Sequence, residues 1–421
     1  MVLMDQGRYK SADEMFRRLV IARQKWNGDN DINTLKAFEC LGRVLEYQGY
    51  FVKAQKMYRR TFEFKRDALG HEHLDTLSSM ANLASTFWSQ GRWKEAEELE
   101  VQVMETRKRV LEEEHPDTLG SMANLASTFL SQGRWRKVEE LEVQVMETSL
   151  RVFGEEHLNT LTIMTNLAST YRNQGRWKEA EELEVQVMET RKRVLGEEHP
   201  DTLTSMACLA LTYKNRGRWK EAEELGVQVM KTRKRVLGEE HPSTLTSIHN
   251  LASTYGNQGR WKEAEELEVQ VMETSLRVVG EEHPSTLSSM ANLALTYGNQ
   301  GRWKEAEELE VQVMETYLRV LGEEHLNTLS SMANLASTYR NQGRWKEAEE
   351  LEVQVIKTRK RVLGEEHPDT LTSINNLAHT WKSQSRNEDA ISLMRKCCQL
   401  RKQILGPQHP YTEASLETLN E

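Results

Sequence analysis

The sequence predicts an all-α fold, an array of stacked antiparallel helical hairpins. Two observations carry that prediction. A 42-residue period runs the length of the 421-residue chain, and the string GRWKEAEELEVQVMET begins unchanged at Gly91, Gly175, Gly259 and Gly301, with looser copies at Gly133, Gly217 and Gly343. Within one period the apolar residues fall at steps of three and four, the spacing of amphipathic helices. A fixed period of this length marks a repeat array whose units bury their apolar faces only by stacking.

Residues 202–237 show how one unit is built. Leu203, Met206, Ala207, Ala210 and Tyr213 form the stripe of a first helix, A. Gly217 follows and can take the left-handed conformation that ends a helix. Trp219 opens a second helix, B, with Ala222, Leu225, Val229, Val236 and Leu237 on its stripe, and Gly238 ends it. Glu239-Glu240-His241-Pro242 leads into the next A helix, where proline suits the first helical position because its missing N–H would be unpaired there. The tryptophan that opens helix B is expected between hairpins, and a buried ring at Trp261 would cost ~3–5 kcal/mol on truncation to alanine.

Along the chain, residues 1–33 read as an incomplete leading repeat, 34–405 as nine full hairpins and 406–421 as a C-terminal capping helix, together one domain over 1–421. The leading part is a lone B helix from Gly7 to about Lys25, preceded only by Val2, Leu3 and Met4 in register with the tail of an A helix. An array that starts inside a repeat is expected to have further protein upstream in the parent gene or a misassigned start, the alternative being a frayed first helix. It also leaves Met15, Phe16, Leu19 and Val20 without a cover, so end-to-end self-association is expected. The last A helix carries Glu413 and Thr418 where earlier units carry Leu and Asn, changes that let it meet water.

The pattern N-L-A-x-x-[YF]-x-x-Q-G-R-W-x-E-A-E-x-L, as in Asn334 to Leu351, resembles the tetratricopeptide repeat. The 42-residue spacing and the loop L-G-x-x-H-P-x-T resemble the kinesin light chain variety of it, and the near-identical copies are similar to the C-terminal arrays of fungal NB-ARC and NACHT receptor-like proteins. The resemblance covers essentially the whole chain. It implies a right-handed superhelical solenoid with A helices along the concave face, and a non-catalytic protein-interaction role. The setting would be the ligand-sensing arm of a nucleotide-switch receptor or, alternatively, a stand-alone cargo adaptor of the kinesin light chain sort. Glu352 departs from the family, because its helix-B position is often aromatic there.

Composition narrows the function further. The net charge is −9, and basic runs such as Arg191-Lys192-Arg193 sit among glutamates, with Glu189 and Arg193 spaced as a helical i, i+4 pair, so no nucleic-acid face is expected. No apolar run approaches the roughly 20 residues of a membrane span. The cysteines at 40, 208, 397 and 398 form no CxxC pair, and Cys397 and Cys398 align with Val355 and Ile356 as small core hydrophobes, which fits a cytoplasmic setting.

No enzyme motif, cofactor-binding signature or metal cluster emerges. Phosphate-binding loops, GxSxG and HExxH are absent. The histidines at 115, 157, 199, 241, 283, 325 and 367 recur one per repeat, too far apart to share an ion, and read as turn formers. His71 and His73 form a single HxH in the same kind of loop, and Asp29, Asp31 and Asn33 lack the glycine and glutamate of a calcium loop.

The candidate site is a ladder on helix A: Asn82, Asn124, Asn166, Asn250, Asn292, Asn334 and Asn376, with Cys40 and Cys208 in two units. An amide donates and accepts, so it can pair with the backbone of an extended peptide. The same amides could instead bond the neighbouring helix and set inter-repeat geometry. Arg172, Lys214 and Arg340, with Lys382, vary near the end of helix A while helix B is nearly copied, and suggest an acidic or carboxylate-bearing protein or peptide ligand.

Overall fold

The computed structural model describes residues 9–29, 31–407 and 409–420, and within them the chain is α-helical with no strand. The expected Val2, Leu3, Met4 and Gly7 positions lie outside the described residues. In chain order the helices are α1 (Tyr9–Asn27), α2 (Ile32–Tyr47), α3 (Phe51–Leu69), α4 (Leu74–Ser89), α5 (Trp93–Leu111), α6 (Pro116–Ser131), α7 (Trp135–Phe153), α8 (Leu158–Asn173), α9 (Trp177–Leu195) and α10 (Pro200–Asn215). They continue as α11 (Trp219–Leu237), α12 (Pro242–Asn257), α13 (Trp261–Val279), α14 (Pro284–Asn299), α15 (Trp303–Leu321), α16 (Leu326–Asn341), α17 (Trp345–Val362), α18 (Pro368–Ser383), α19 (Asn387–Ile404) and α20 (Pro410–Asn420). Even-numbered helices are of type A and odd-numbered ones of type B. The chain divides into two compact units: residues 1–170, 180–209 and 228–246 form one, and 171–179, 210–227 and 247–421 the other.

Local chemistry fixes both turns of each hairpin. At the A–B turn, Gly91 lies at φ 73°, Gly91 N–H donates to Trp88 O and Arg92 N–H to Phe87 O, both at 2.9 Å. These two bonds close the A helix in a Schellman motif. The next arginine then lays its guanidinium over the aromatic ring of that helix, Arg92 on Phe87 at 4.4 Å, Arg260 on Tyr255 at 4.0 Å and Arg344 on Tyr339 at 3.9 Å. At the B–A loop the repeated histidines are N-caps. Nδ1 of His115, His199, His283 and His367 accepts the backbone N–H two residues on at 3.1 Å, satisfying one of the unpaired donors at a helix start. Asp31 caps α2 in the same way, accepting from Asn33 N at 2.9 Å.

Packing follows the A and B stripes. In α4, Thr76, Leu77, Ser79, Met80, Leu83, Ala84, Thr86 and Phe87 are buried. In α5 the buried positions are Ala96, Glu100, Val103 and Arg107. Val236, expected on the B stripe, is exposed, and the buried residues of its helix are Ala222, Val229 and Arg233. The B stripe is thus narrow and partly charged. Cys397 and Cys398 are buried among apolar neighbours, as their alignment with Val355 and Ile356 predicts. On α1, Phe16 and Val20 are covered, whereas Met15 and Leu19 are exposed, because α2 shields only one side of that helix.

Polar side chains staple each hairpin to its neighbours. Arg359 of α17 is 5% exposed and donates to Asp369 O at 3.0 Å and Ser373 Oγ at 2.7 Å on α18, and to Ser330 Oγ at 3.1 Å on α16. Arg107, Arg191 and Arg401 repeat this clamp. At the A–B edge Arg344 reaches Glu307 of the preceding hairpin at 2.7 Å, and Gln342 donates to the same carboxylate at 2.8 Å. At the loop edge Arg193 pairs with Glu156, 37 residues earlier, at 2.5 Å, rather than with Glu189 of its own helix.

The tryptophan at the start of helix B is not a buried wedge between hairpins. Trp345 is 41% exposed, and Trp303 lies over Gly298 of its own hairpin, its Cζ3 3.0 Å from where a β-carbon would stand. Trp261 sits likewise over Gly256. Trp261→Ala should therefore lower stability by well under the ~3–5 kcal/mol of a buried aromatic, while Arg359→Ala, which strands several buried polar groups, should cost about 2–3 kcal/mol. Urea unfolding of the two variants beside the parent chain checks the order.

Candidate ligand-binding face

The buried stripe of helix A leaves a strip of polar and small residues outside the core, and the asparagine ladder lies on it. Asn82, Asn166, Asn250, Asn292, Asn334 and Asn376 are half-buried and Asn124 is exposed. The ladder is not one cluster: Asn82, Asn124 and Asn166 belong to the first unit and the other four to the second.

In the second unit the environment of one rung is drawn in full. His249 of α12 places Nδ1 2.8 Å from Glu268 Oε1 of α13. The amide nitrogen of Asn292, on α14, stands 3.2 Å from that Nδ1 and 3.4 Å from Nε2. A neutral ring that donates from Nδ1 to the carboxylate leaves Nε2 to accept from Asn292. This rung spans two successive A helices above a carboxylate on the B helix between them, so at Asn292 the amide does set inter-repeat geometry.

The basic positions are also engaged. Lys214 Nζ donates to Ser253 Oγ at 3.0 Å, and burial, with the nearby charge of Arg172, pushes its pKa down from the ordinary lysine value. Arg340 donates to Asn376 O at 3.3 Å and to Ser337 Oγ at 3.2 Å, and its Nη1 stands 3.9 Å from Glu352 Oε1. Lys382 is exposed and lies on the wall of a cavity of about 220 Å³ with Ala378, His379, Asn387, Met394 and Leu419. Arg172 and Lys214 lie near one another, whereas Arg340 sits apart on α16 beside its own carboxylate.

Reading by residue type missed the floor of this face. Glu100, Glu142, Glu184, Glu268, Glu310 and Glu352 occupy one position on α5, α7, α9, α13, α15 and α17, where α11 carries Gly226, and all are at most 7% exposed. Oε2 of Glu100, Glu142, Glu268, Glu310 and Glu352 is buried without a hydrogen-bond partner among the described residues. Burial disfavours the charged form, and it raises Glu100, Glu142, Glu310 and Glu352 to about 7. The signal was available: Ala96, Glu100, Val103 and Arg107 stand at i, i+4, i+7 and i+11, which places the glutamate on the buried stripe.

The comparisons with known proteins agree with this architecture. Tetratricopeptide repeat family models match residues 76–117, 118–159, 160–201, 286–327, 328–369 and 370–411, and a second such model matches 201–276. The chain belongs to the tetratricopeptide repeat family. Among solved structures it is similar to a Podosopora anserina candidate kinesin light chain with nearly identical repeats, at 36% identity over 49% of this chain and 98% of that one, with a TM-score of 0.42. BtubC from P. vanneervenii aligns at 20% identity over 55% of this chain and 92% of that one, TM-score 0.45. A Rap protein complexed with competence and sporulation factor aligns at 12% identity over 82% and 96%, TM-score 0.51, a likeness of fold alone. No curated protein matches the sequence. Tetratricopeptide repeats suggest a protein-interaction scaffold. No helix of the described residues is long and apolar enough to cross a membrane.

The glutamate ladder gives the array a definite pH response. A carboxyl held near 7 in the folded chain, against 4.5 ordinarily, keeps its proton on folding between those values. Its contribution is complete below about 4.5 and lost as the pH rises through about 7. The melting temperature should therefore fall between pH 5.5 and pH 8, and Glu310→Gln should shrink that difference by on the order of 1–3 kcal/mol. Thermal melts of parent and variant at both pH values check the sign. A steeper pH dependence in the glutamine variant contradicts it.

Proposed function

We propose that this tetratricopeptide chain is a non-catalytic scaffold that holds extended peptide segments of partner proteins against its A-helix face, with Asn82, Asn124, Asn166, Asn250, Asn292, Asn334 and Asn376 as backbone-reading amides and Arg172, Lys214 and Arg340 at its variable positions. The observation that carries this reading is the half-burial of the ladder asparagines on a face where neighbouring positions vary and helix B is nearly copied. The amides outside the His249 rung are the better binding candidates, since Asn292 already bonds its neighbour. Lys214 and Arg340 are engaged by Ser253, Asn376 and Glu352, which weakens the case for an acidic ligand drawn by those two cations.

Two settings fit. The near-identical copies support the sensing arm of an NB-ARC or NACHT-type switch receptor in the cytoplasm, and the 42-residue spacing with its L-G-x-x-H-P-x-T loop supports a kinesin light chain-like adaptor equally well. Mapping the 5′ end of the transcript separates them, since the receptor reading requires an upstream phosphate-binding-loop domain in frame.

The binding role is tested with pooled random nonapeptides and Asn334→Ala/Asn376→Ala. That pair should weaken retention of the pools roughly tenfold, the worth of one or two lost hydrogen bonds, with an unchanged melting curve. Retention equal to the parent chain argues that the amides only shape the array.

A further inference from the structure

The repeat supplies its own controls for the buried carboxylates. His249 and Arg340 show two different routes by which an imidazole or cationic side chain of the preceding A helix approaches one of them. Glu268 is met by His249, from the middle of α12. Glu352 is met by Arg340, from near the end of α16. Both side chains are rooted on the strip of helix A outside the core, so the carboxylates are reached from the proposed ligand-binding face and not from within the hydrophobic packing.

Glu310 of α15 is the member of this set for which both routes begin at a residue with no side chain beyond a methyl group, with the Trp303 ring lying over the second of them. The residue of α14 equivalent to His249 is Ala291, and the residue equivalent to Arg340 is Gly298. Its neighbours otherwise follow the His249 rung. Asn334 of α16 stands where Asn292 stands for Glu268 and is half-buried. The Glu310 side chain is 3% exposed, and its Oε2 is buried without a hydrogen-bond partner among the described residues. All of these residues lie in the second unit.

We propose that the A-helix strip over Glu310, flanked by Ala291, Gly298 and Asn334, receives one basic side chain, arginine or lysine, from a peptide bound along the A-helix face. The inference rests on the peptide-binding reading above and specifies its chemistry. Arg340 approaches Glu352 from this face but stops 3.9 Å from Oε1 and makes no hydrogen bond to it, whereas a ligand guanidinium over Glu310 would come closer. It would meet an oxygen that has no partner, by a charge-assisted hydrogen bond in a dry setting, where such bonds are strong. The amide oxygen of Asn334 offers a second acceptor to the same group. Burial raises the pKa of this carboxyl to about 7, which the Thr338 hydroxyl only partly offsets, and Glu352 is raised to the same value with Arg340 nearby. Glu100 and Glu142 are less open, because the Arg340-equivalent residues of their hairpins are Trp88 and Leu130.

Two measurements on the full chain test the assignment. In the first, three pools of random nonapeptides carry arginine, lysine or citrulline at the central position. The arginine and lysine pools should be retained roughly tenfold more tightly than the isosteric, neutral citrulline pool. Glu310→Gln should erase that preference while leaving the citrulline pool unaffected, and Glu352→Gln should leave the preference in place. Equal retention of all three pools, or a preference that survives Glu310→Gln, overturns the basic-residue assignment while the peptide-binding reading stands. Retention of none of the pools counts against both. In the second, Gly298→Arg plants an internal guanidinium at the position from which Arg340 approaches Glu352. It should raise the melting temperature at pH 8 relative to Gly298→Gln, and this gain should vanish when Glu310 is also glutamine. A gain that does not depend on Glu310, or no gain, means that a cation cannot reach the carboxyl from this face, and it overturns the proposal without any peptide.

Discussion

The reach of an arginine from one hairpin to the next is the interaction on which the rest of this structure depends. A hairpin of two helices exposes too much of its apolar stripe to stand alone, and the B stripe here is narrower than apolar patterning suggests. The arginine clamp supplies what the stripe lacks. Arg359 ties α17 both to its own A helix and to the next one, through Ser330, Ser373 and the carbonyl of Asp369. Arg344 and Arg361 hold the two edges, each on a glutamate 37 residues earlier. The edge pairs are solvent-exposed and individually weak, but they recur, and with the buried clamp they fix the register of one hairpin on another.

That fixed register makes the buried glutamates possible. A carboxylate on a packed helix face is costly unless it is neutral or paired. The array meets that cost in two ways: Glu268 by an imidazole, and Glu100, Glu142, Glu310 and Glu352 by holding a proton up to about 7, the last with a guanidinium nearby. Stability given up inside a repeat array is often connected with function. Here the carboxylates lie directly beneath the face whose residues differ most from unit to unit. The nearly constant B helix thus sets a common acidic floor, and the variable A helix decides which rungs are closed by the chain itself.

The asparagine ladder acquires a double character in this arrangement. At Asn292 the amide bridges successive A helices through His249, a structural role. At Asn376 it is the backbone carbonyl that takes Arg340, leaving the amide at the surface strip. A single residue type at one repeat position therefore does different things in different units, according to what stands 43 or 36 residues before it.

The sequence by itself determined the helical hairpin, its length, its turns and its stacking. Each of those follows from short-range chemistry: a glycine at positive φ after helix A, a histidine cap before the next one, and apolar residues at helical spacing. It also placed the asparagines off the buried stripe, because helical geometry fixes which positions share a face. Only the tertiary structure decided the depth of burial, and with it the chemistry. Trp261 looked like a core residue but rides over Gly256 at the hairpin's edge, and Glu310, one of many glutamates in the repeat, is buried. Whether His249 meets Glu268, or only the Thr338 hydroxyl meets Glu310, depends on side chains from different helices converging at fixed distances. A one-dimensional pattern shows that those residues share a period, while the packing of one hairpin on the next sets what each of them touches.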